Sequence, residues 1–388
     1  MRIAVVGNGR SVHVAARSAA TAALGHQVRW VTLGEVLPAP GVEVRTRPLP
    51  RGLTGAVRAT RGFLADLRAF RPDLLHLHYA GGRLGSLALL SGLHPLVVTV
   101  MGGDILPEQH PGGLPTLERR ATRRALQEAD LLLVKSEALR LALQGWGPFS
   151  ARVETVRWGV DPAVFRRDAS AAQAWRARLG LGPEARAILS PRLLDPRYNI
   201  HLVVEGLPAI LGRVPQARLL LTEYGAVPAY RASLERQIAE LGLRDAVRFL
   251  GQIPQAEMPG LYSLADAVVA VPASDGLPQS LFEAMACQAP LVLGRLAAYA
   301  EVATDGQHAL LVDFTPQAIA AAVLEILQQP SFARSLAERA LARVREVALL
   351  PREMNRVDAF YQGLLQTPPR RGRWLPRCAD ALSLLLRR

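Results

Sequence analysis

The sequence predicts an α/β protein made of two Rossmann-like domains, and three observations lead there. At 388 residues the chain exceeds what one hydrophobic core organises, so two domains of ordinary size are the expectation. Hydrophobic residues make up 50% of it and charged residues 20%, which is ample for folded cores. Short apolar runs alternate with longer helical stretches, as parallel strands alternate with crossover helices, and the alternation runs twice along the chain.

In the first half the strands are RIAVV, QVRWVTL, DLLHLH, PLVVTV and DLLLV. Helical stretches follow Ser11, run from Gly55 to Phe70, and run from Leu117 to Ala129. The pattern resumes after Arg186 with AILSP, ARLLLTE, VRFLG, AVVAV and LVLG as strands. Helices are expected near His201 to Leu211, Tyr230 to Leu241 and Gln279 to Cys287. A linker is expected after Trp158-Gly159-Val160-Asp161-Pro162, in the polar stretch to about Gly182. Two further helical segments follow the second half, then a Pro/Arg-rich break at Thr367 to Arg373 and the ending WLPRCADALSLLLRR. The chain is thus expected to divide into domains 1–165 and 166–350, with 351–388 forming a helix that packs back towards the first domain and a basic tail.

Composition removes several classes of function. Cys287 and Cys378 cannot make a disulfide framework for a chain of this size, and no Cys/His cluster has zinc spacing, so no metal site is expected. A reducing cytosol fits this cysteine usage. Met1-Arg2 leads straight into Ile3-Ala4-Val5-Val6, too short for a signal-peptide core. No apolar run approaches the ~20 residues that span a bilayer, so a soluble or peripheral protein is expected. The 46 Lys and Arg against 33 Asp and Glu give a formal charge of +13, and Lys135 is the only lysine. An expected lysine can therefore appear here as arginine. A basic surface suits nucleic acid, anionic lipid or phosphorylated ligands. With 5% aromatics and no helix-turn-helix, zinc-finger or RNP-like pattern, nucleic acid is not expected as a partner.

Three stretches carry candidate chemistry. Gly7-Asn8-Gly9 follows the first strand and leads into a helix near Ser11, where backbone amides and the helix dipole suit an anion. A tight strand-to-helix turn that uses glycine's freedom explains the same residues. A dinucleotide fingerprint would want a third glycine and an acid after the second strand, where Val12 and the distant Glu35 stand, so NAD chemistry is disfavoured. Arg192 ends the strand AILSP, and Arg197 follows in PRLLDPRYNI; two arginines there suit a diphosphate, or are surface residues of an arginine-rich chain. VVAVPASDGLPQSLFEAMA reads as strand, Gly/Pro loop and helix, with the amides of Gly276 to Ser280 over a phosphate-sized space. Glu283 on the first turns of that helix suits a ribose diol, and Asp275 before it suits a sugar hydroxyl or developing charge at an anomeric carbon. Capping by Ser274 or Asp275, with Glu283 favourable to the dipole, is the competing reading.

At these residues the sequence resembles glycosyltransferase family 4, retaining transferases with the GT-B fold. The S-x-G-x-P loop, E-A-M-A-C, Pro290 and an apolar strand are similar to the family's acid-x7-Glu signature. The resemblance covers nearly the whole chain: Ser11 to His13 with Gly25-His26-Gln27-Val28, Arg71-Pro72-Asp73 with His76-Leu77-His78, Thr99 to Asp104, Gly159-Val160-Asp161 with Phe165, and Phe249-Leu250-Gly251. It implies two Rossmann-like domains facing each other across a central cleft, with the acceptor on the first and the nucleotide sugar on the second. It implies that Arg192 and Arg197 hold the donor diphosphate, that Asp275 contacts the transferred sugar and that Glu283 holds the ribose; Arg192, Arg197 and Asp275 are the expected catalytic residues. Gly9, Gly276, Leu277, Pro278, Ser280 and Leu281 complete the expected donor site, and His13, Met101 and Asp104 the acceptor site.

Four positions depart from the family. Arg197 stands where lysine is usual, which keeps the charge and changes the geometry. Asp275 stands for glutamate, shortening the reach by ~1.5 Å. Met101 replaces the turn histidine, removing a proton carrier and an aid to sugar recognition. Gln288 replaces a common glycine and reads as a packing variation.

The implied reaction is metal-independent retaining transfer with no cofactor beyond the nucleotide-sugar co-substrate, acting on a saccharide or lipid-linked acceptor in polysaccharide or glycolipid assembly. Alternatives are a sugar-nucleotide epimerase and a non-catalytic GT-B protein that binds sugar nucleotide. His76 and His78 alternate with leucines and face one way, as core residues or acceptor contacts. Asp104 is equally an ordinary former of a Gly-Gly-Asp turn. Arg119, Arg120, Arg123 and Arg124 of LERRATRRAL, and the tail from Arg370 with Trp374 and Leu382 to Leu386, suit an anionic membrane surface or plain solvent. The expected location is cytoplasmic, free or peripheral at the inner face of the plasma membrane.

Overall fold

The computed structural model describes residues 1–107, 113–223 and 225–366. It divides into two compact units, Met1–Trp158 joined by the segment from Pro351, and Gly159–Leu350.

The first unit runs β1 (Arg2–Val6), α1 (Val12–Ala23), β2 (Gln27–Leu33), β3 (Val42–Arg47), α2 (Gly52–Phe70), β4 (Leu74–His78), α3 (Gly82–Ser91), β5 (Leu96–Thr99), α4 (Thr116–Glu128), β6 (Leu131–Val134), α5 (Glu137–Gln144) and β7 (Arg152–Thr155). Its strands form one parallel sheet in the order β3-β2-β1-β4-β5-β6-β7. The five expected strands are present, and β3 and β7 are added at the two edges. VEVRTR and RVET bury one face at most, so neither carries an apolar run. In α2, Ala56, Ala59, Phe63, Leu67 and Phe70 are buried at three- and four-residue spacing, which places one stripe against the sheet. The helix stops at Arg71 in the left-handed region (φ 48°), just before Pro72.

The second unit runs α6 (Ala169–Arg178), β8 (Arg186–Ser190), α7 (Ile200–Leu211), β9 (Ala217–Leu221), α8 (Pro228–Glu240), β10 (Val247–Phe249), α9 (Met258–Leu264), β11 (Ala267–Ala270), α10 (Gln279–Ala286), β12 (Leu291–Gly294), α11 (Ala297–Ala300), β13 (Leu310–Val312), α12 (Pro316–Gln328) and α13 (Pro330–Val347). The sheet is parallel, in the order β10-β9-β8-β11-β12-β13. Its core gathers Val204, Leu207 and Ile210 of α7 with Ile319 and Val323 of α12 over β8, β9 and β11. A Cβ at Gly206 would lie 2.7 Å from the Pro316 carbonyl, so only glycine lets α7 and α12 approach this closely.

Two boundary expectations are corrected. The polar stretch to Gly182 is not a linker: Asp168 accepts a hydrogen bond from the Ala171 amide (2.9 Å) and caps α6, and Trp175 is buried against Gly260 of α9. The change of unit falls between Trp158 and Gly159, earlier than 165/166. Val160 pairs with Leu349, the Phe165 ring lies 6.5 Å from Tyr262, and the Asp168 amide donates to Ser263 (2.9 Å), so 159–168 already belong to the second unit.

The chain then returns to the first unit through α14 (Leu350–Leu365). There the Glu353 carboxylate accepts from the Arg157 amide (2.7 Å), Asp358 meets His26 Nε2 (2.7 Å), and the Tyr361 hydroxyl meets His76 Nδ1 (2.6 Å). The basic tail, with Trp374 and Leu382 to Leu386, lies outside the described residues.

Candidate functional site

Each sheet reverses its strand order once, between β1 and β4 in the first unit and between β8 and β11 in the second. Loops leaving the carboxyl ends of such neighbouring strands diverge to opposite faces and leave a crevice, where doubly wound sheets hold ligands. The stretches singled out in the sequence leave these strands.

In the second unit, Arg192 follows β8 and is only 7% exposed. Its Nη2 donates to Asp275 Oδ2 (2.5 Å), its Nη1 to Ser280 Oγ (3.0 Å), and its guanidinium lies 4.5 Å from the Tyr198 ring centre. Burial works against this charge, but Asp275 beside it more than offsets the cost, so the guanidinium's pKa lies above its ordinary value. Two bonds fasten the loop after β8 to the loop after β11: Asn199 Nδ2 to the Val271 carbonyl (3.0 Å), and the Ala273 amide to the Arg197 carbonyl (2.8 Å). Arg197 sits on a 3-10 turn and forks onto Asp195, with Nε and Nη2 each 2.8 Å from a carboxylate oxygen. The hydrogen bond from Arg197 is the leading cause that holds Asp195 below the usual carboxylate range. Arg192 and Arg197 thus stand on one loop, the first anchored in the Asp275 loop and the second on its own neighbour.

The loop from Asp275 is pre-shaped. Leu277 adopts φ 77°, a conformation that costs a non-glycine residue about 1–2 kcal/mol, and full burial of its side chain holds it there. Among the described residues no acceptor engages the amides of Gly276, Leu277, Gln279 or Ser280. Pro278 is the N-cap of α10 and no side chain caps the helix, so capping by Ser274 or Asp275 does not explain the loop. Leu281, 3% exposed, anchors the first turn of α10 in the core. Glu283 is 5% exposed, accepting from Gln255 Nε2 (2.8 Å) and from the Tyr262 hydroxyl (3.0 Å). Burial pushes its carboxyl up to about 7, against the pull of those hydrogen bonds and of Arg192.

The first unit fills its crevice differently. Gly7 and Gly9 do not use glycine's left-handed freedom. A Cβ at Gly9 would collide with the Glu35 carbonyl, whose loop is tied down by the Leu37 amide donating to the Gly9 carbonyl (2.8 Å). Ser11 caps α1, accepting from the Val14 amide (3.4 Å). Arg17 on that helix is 4% exposed, lies 4.2 Å from the Trp158 ring centre, and donates through Nη1 to Met101 Sδ (3.3 Å). Burial lowers its guanidinium to about 9. His76 and His78 stack at 4.1 Å, and His76 is bonded on both nitrogens, to Tyr361 and to Thr99 Oγ1 (2.7 Å). Burial, then Arg17, lowers His76 to about 3; burial, His76, Arg17 and His13 hold His78 well below the imidazole range. Asp104, 1% exposed, accepts from the amides of Met101 (3.0 Å), Gly102 (2.9 Å) and Ala80 (2.9 Å), the geometry of a turn former. The Gly9 loop leaves β1, His13 lies close enough to His78 to act on it, and Met101, after β5, meets Arg17. The four arginines of α4 are exposed; Arg124 pairs with Glu128 (3.1 Å) and Arg119 lies over Trp146.

Several residues in these crevices carry no motif. Tyr198 lies against Arg192, Gln255, Tyr262 and Tyr299 bond the second-unit acids, and Arg17 and Trp158 adjoin the first-unit histidines. Only Arg17, one helical turn after His13, has a spacing that pointed to it. Among the described residues no group of three or more His, Cys, Asp or Glu could hold a metal ion, and no helix is long and apolar enough to cross a membrane.

Residues 8–159 match the family model "Glycosyl transferase 4-like domain", and residues 172–343 match "Glycosyl transferases group 1". The chain belongs to glycosyltransferase family 4. A GDP-mannose-dependent alpha-(1-6)-phosphatidylinositol monomannoside mannosyltransferase of Mycolicibacterium smegmatis is 31% identical over 263 residues, covering 65% of this chain and 66% of that protein. A D-inositol 3-phosphate glycosyltransferase of Kineococcus radiotolerans is 29% identical, covering 70% of this chain and 67% of that one. The match thus spans about two thirds of these relatives' own length. Sucrose-phosphate synthase from Thermosynechococcus elongatus superposes with a TM-score of 0.81 at 21% identity, covering 94% of this chain and 99% of that one. Anabaena HepE, solved with UDP and glucose, also gives 0.81, at 18% identity and covering 94% and 100%. The chain has the GT-B fold.

Proposed function

We propose that this glycosyltransferase takes its sugar from a nucleoside diphosphate sugar and passes it, with retention at the anomeric carbon, to a hydroxyl of a saccharide or lipid-linked acceptor. The observation that carries the reading is the β8/β11 crevice, where a buried Arg192 meets Asp275 and Ser280 beside unengaged amides at the start of α10. Cation and amides complement the oxygens of a diphosphate, and Glu283 lies close enough to Arg192 to feel its charge. The relative named for GDP-mannose, and HepE with its UDP, support a nucleotide-linked donor.

In the proposed step the bond from the anomeric carbon to the diphosphate oxygen breaks, and its electron pair leaves with the nucleoside diphosphate. Arg192, Arg197 and the Gly276–Ser280 amides stabilise that charge, without a metal ion. Asp275 stabilises positive character at the sugar. The acceptor oxygen bonds to the face just vacated, and its proton goes to the leaving phosphate oxygen, so no separate base is required. We assign the acceptor to the first unit, around His13 and Met101, and anionic lipid to the exposed arginines of α4.

Calorimetric titration with UDP, GDP and ADP, in EDTA and without added metal, tests the donor site. Micromolar binding of one nucleotide, lost in Arg192→Ala and Glu283→Ala, is the expected result; no binding by the folded wild type sinks the reading. Retention is read from the anomeric configuration of the product by NMR. A second reading, donor binding without transfer, draws on Met101, whose sulfur is engaged by Arg17 where the family carries a histidine. It would be favoured by tight donor binding with no turnover on any acceptor.

A further inference from the structure

Asp275 is held through one oxygen only. Oδ2 accepts from Arg192 Nη2 (2.5 Å) and from the Tyr299 hydroxyl (3.2 Å), whereas no described residue donates to Oδ1. Tyr299 is fully buried on α11, where the Tyr299 amide donates to the Leu296 carbonyl (3.0 Å), and the Ala303 amide to the Tyr299 carbonyl (2.9 Å). These bonds fix the backbone that carries the phenol, and burial holds its ring. Burial first, and Asp275 second, raise the phenol's pKa well above its ordinary value, so it remains a proton donor at any working pH.

The two donors to Oδ2 differ in what else they must do. Arg192 is the cation that the proposed reading gives to the diphosphate, so a bound donor draws it away from Asp275. Tyr299 has no such second partner. Aspartate is also a shorter acid than the family's glutamate, which leaves less room for misplacement of the carboxylate.

We propose that Tyr299 is a positioning residue: its hydroxyl holds Oδ2 of Asp275 while Arg192 serves the diphosphate, so that Oδ1 is presented to the transferred sugar. This inference rests on the donor-site reading above.

Tyr299→Phe removes the hydroxyl and keeps the ring. Its affinity for the nucleoside diphosphate alone should stay within about twofold of wild type, because that ligand does not reach Asp275. Turnover of the sugar nucleotide should fall about tenfold, the effect of losing one hydrogen bond to a charged group. In an Asp275→Asn background the same change should add little, since the tyrosine acts through the carboxylate. A merely structural tyrosine would weaken nucleotide binding as much as turnover and would be additive with Asp275→Asn; either result overturns the assignment, as does unchanged turnover. Absence of nucleotide binding by the wild type overturns the donor-site reading itself, and is seen before any variant is made.

Discussion

The two units share one strand order about a single reversal point, yet they treat the crevice there in opposite ways. In the first, the space at the ends of β1 and β4 is filled by the chain's own side chains: stacked His76 and His78, Trp158, Tyr361, and a buried Arg17 with sulfur and indole for neighbours. In the second, charge is buried but the backbone is left open: Arg192 is balanced by Asp275, and the amides at the start of α10 meet no acceptor among the described residues. Burial drives the histidines of the first crevice towards neutrality, while it leaves the cation of the second fully charged because an anion stands beside it. The same topology thus yields one crevice whose buried cation, Arg17, faces a thioether and an indole, and one organised around an ion pair with unused hydrogen-bond donors. Arg192 and the open amides of the second suit a polyanion.

The strongest way to break this contrast is to remove the buried cation. Arg192→Ala leaves the largely buried Asp275 with Tyr299 as its remaining partner, and loss of one member of a largely buried pair costs about 3 kcal/mol. Chemical denaturation should show that loss, together with loss of nucleotide binding beyond detection. Unchanged stability would mean that the pair is not buried as described.

The first crevice predicts a response to acid. His76 and His78 have folded-state pKa values below their unfolded value near 6.5, so the unfolded chain binds more protons between the two values. Stability is therefore fully present above pH 6.5 and falls as pH drops towards the folded values. At pH 5 His76 accounts for about 2 kcal/mol, and His76→Gln should remove that share of the slope. A denaturation midpoint that is flat from pH 7 to pH 5 would contradict the neutral, buried histidine pair.

How far the sequence revealed this contrast depends on the residue. The motif from Asp275 to Glu283 was legible because strand, Gly/Pro turn and helix follow one another locally, and Arg192 because it ends an apolar run. Edge strands β3 and β7 were not, since half-exposed strands lack an apolar signal. Helix α6 was hidden in a polar stretch, because a single tryptophan, Trp175, anchors it. Tyr262 and Tyr299 could not be assigned from local pattern: each reads as a core aromatic, and only the fold brings its hydroxyl to an acid. Arg17 and Met101 meet across 84 positions of sequence, a contact that no local spacing announces.

The smallest effect sharpens the second crevice. Glu283, pushed up to about 7, passes from mostly protonated to mostly ionised between pH 6 and pH 8. If its carboxylate accepts hydrogen bonds from the ribose, preference for a ribonucleotide over its 2′-deoxy analogue should grow with pH across that range, by up to about tenfold. Taking the ratio of the two affinities cancels titration of the diphosphate itself, which both ligands share. The Tyr262 and Gln255 bonds pull the carboxyl downward, so Tyr262→Phe should move the midpoint of the ratio to higher pH. Glu283→Gln should flatten the ratio entirely. A wild-type ratio that ignores pH would separate Glu283 from the sugar of the nucleotide and leave Arg192 and the amides as the whole of the anion site.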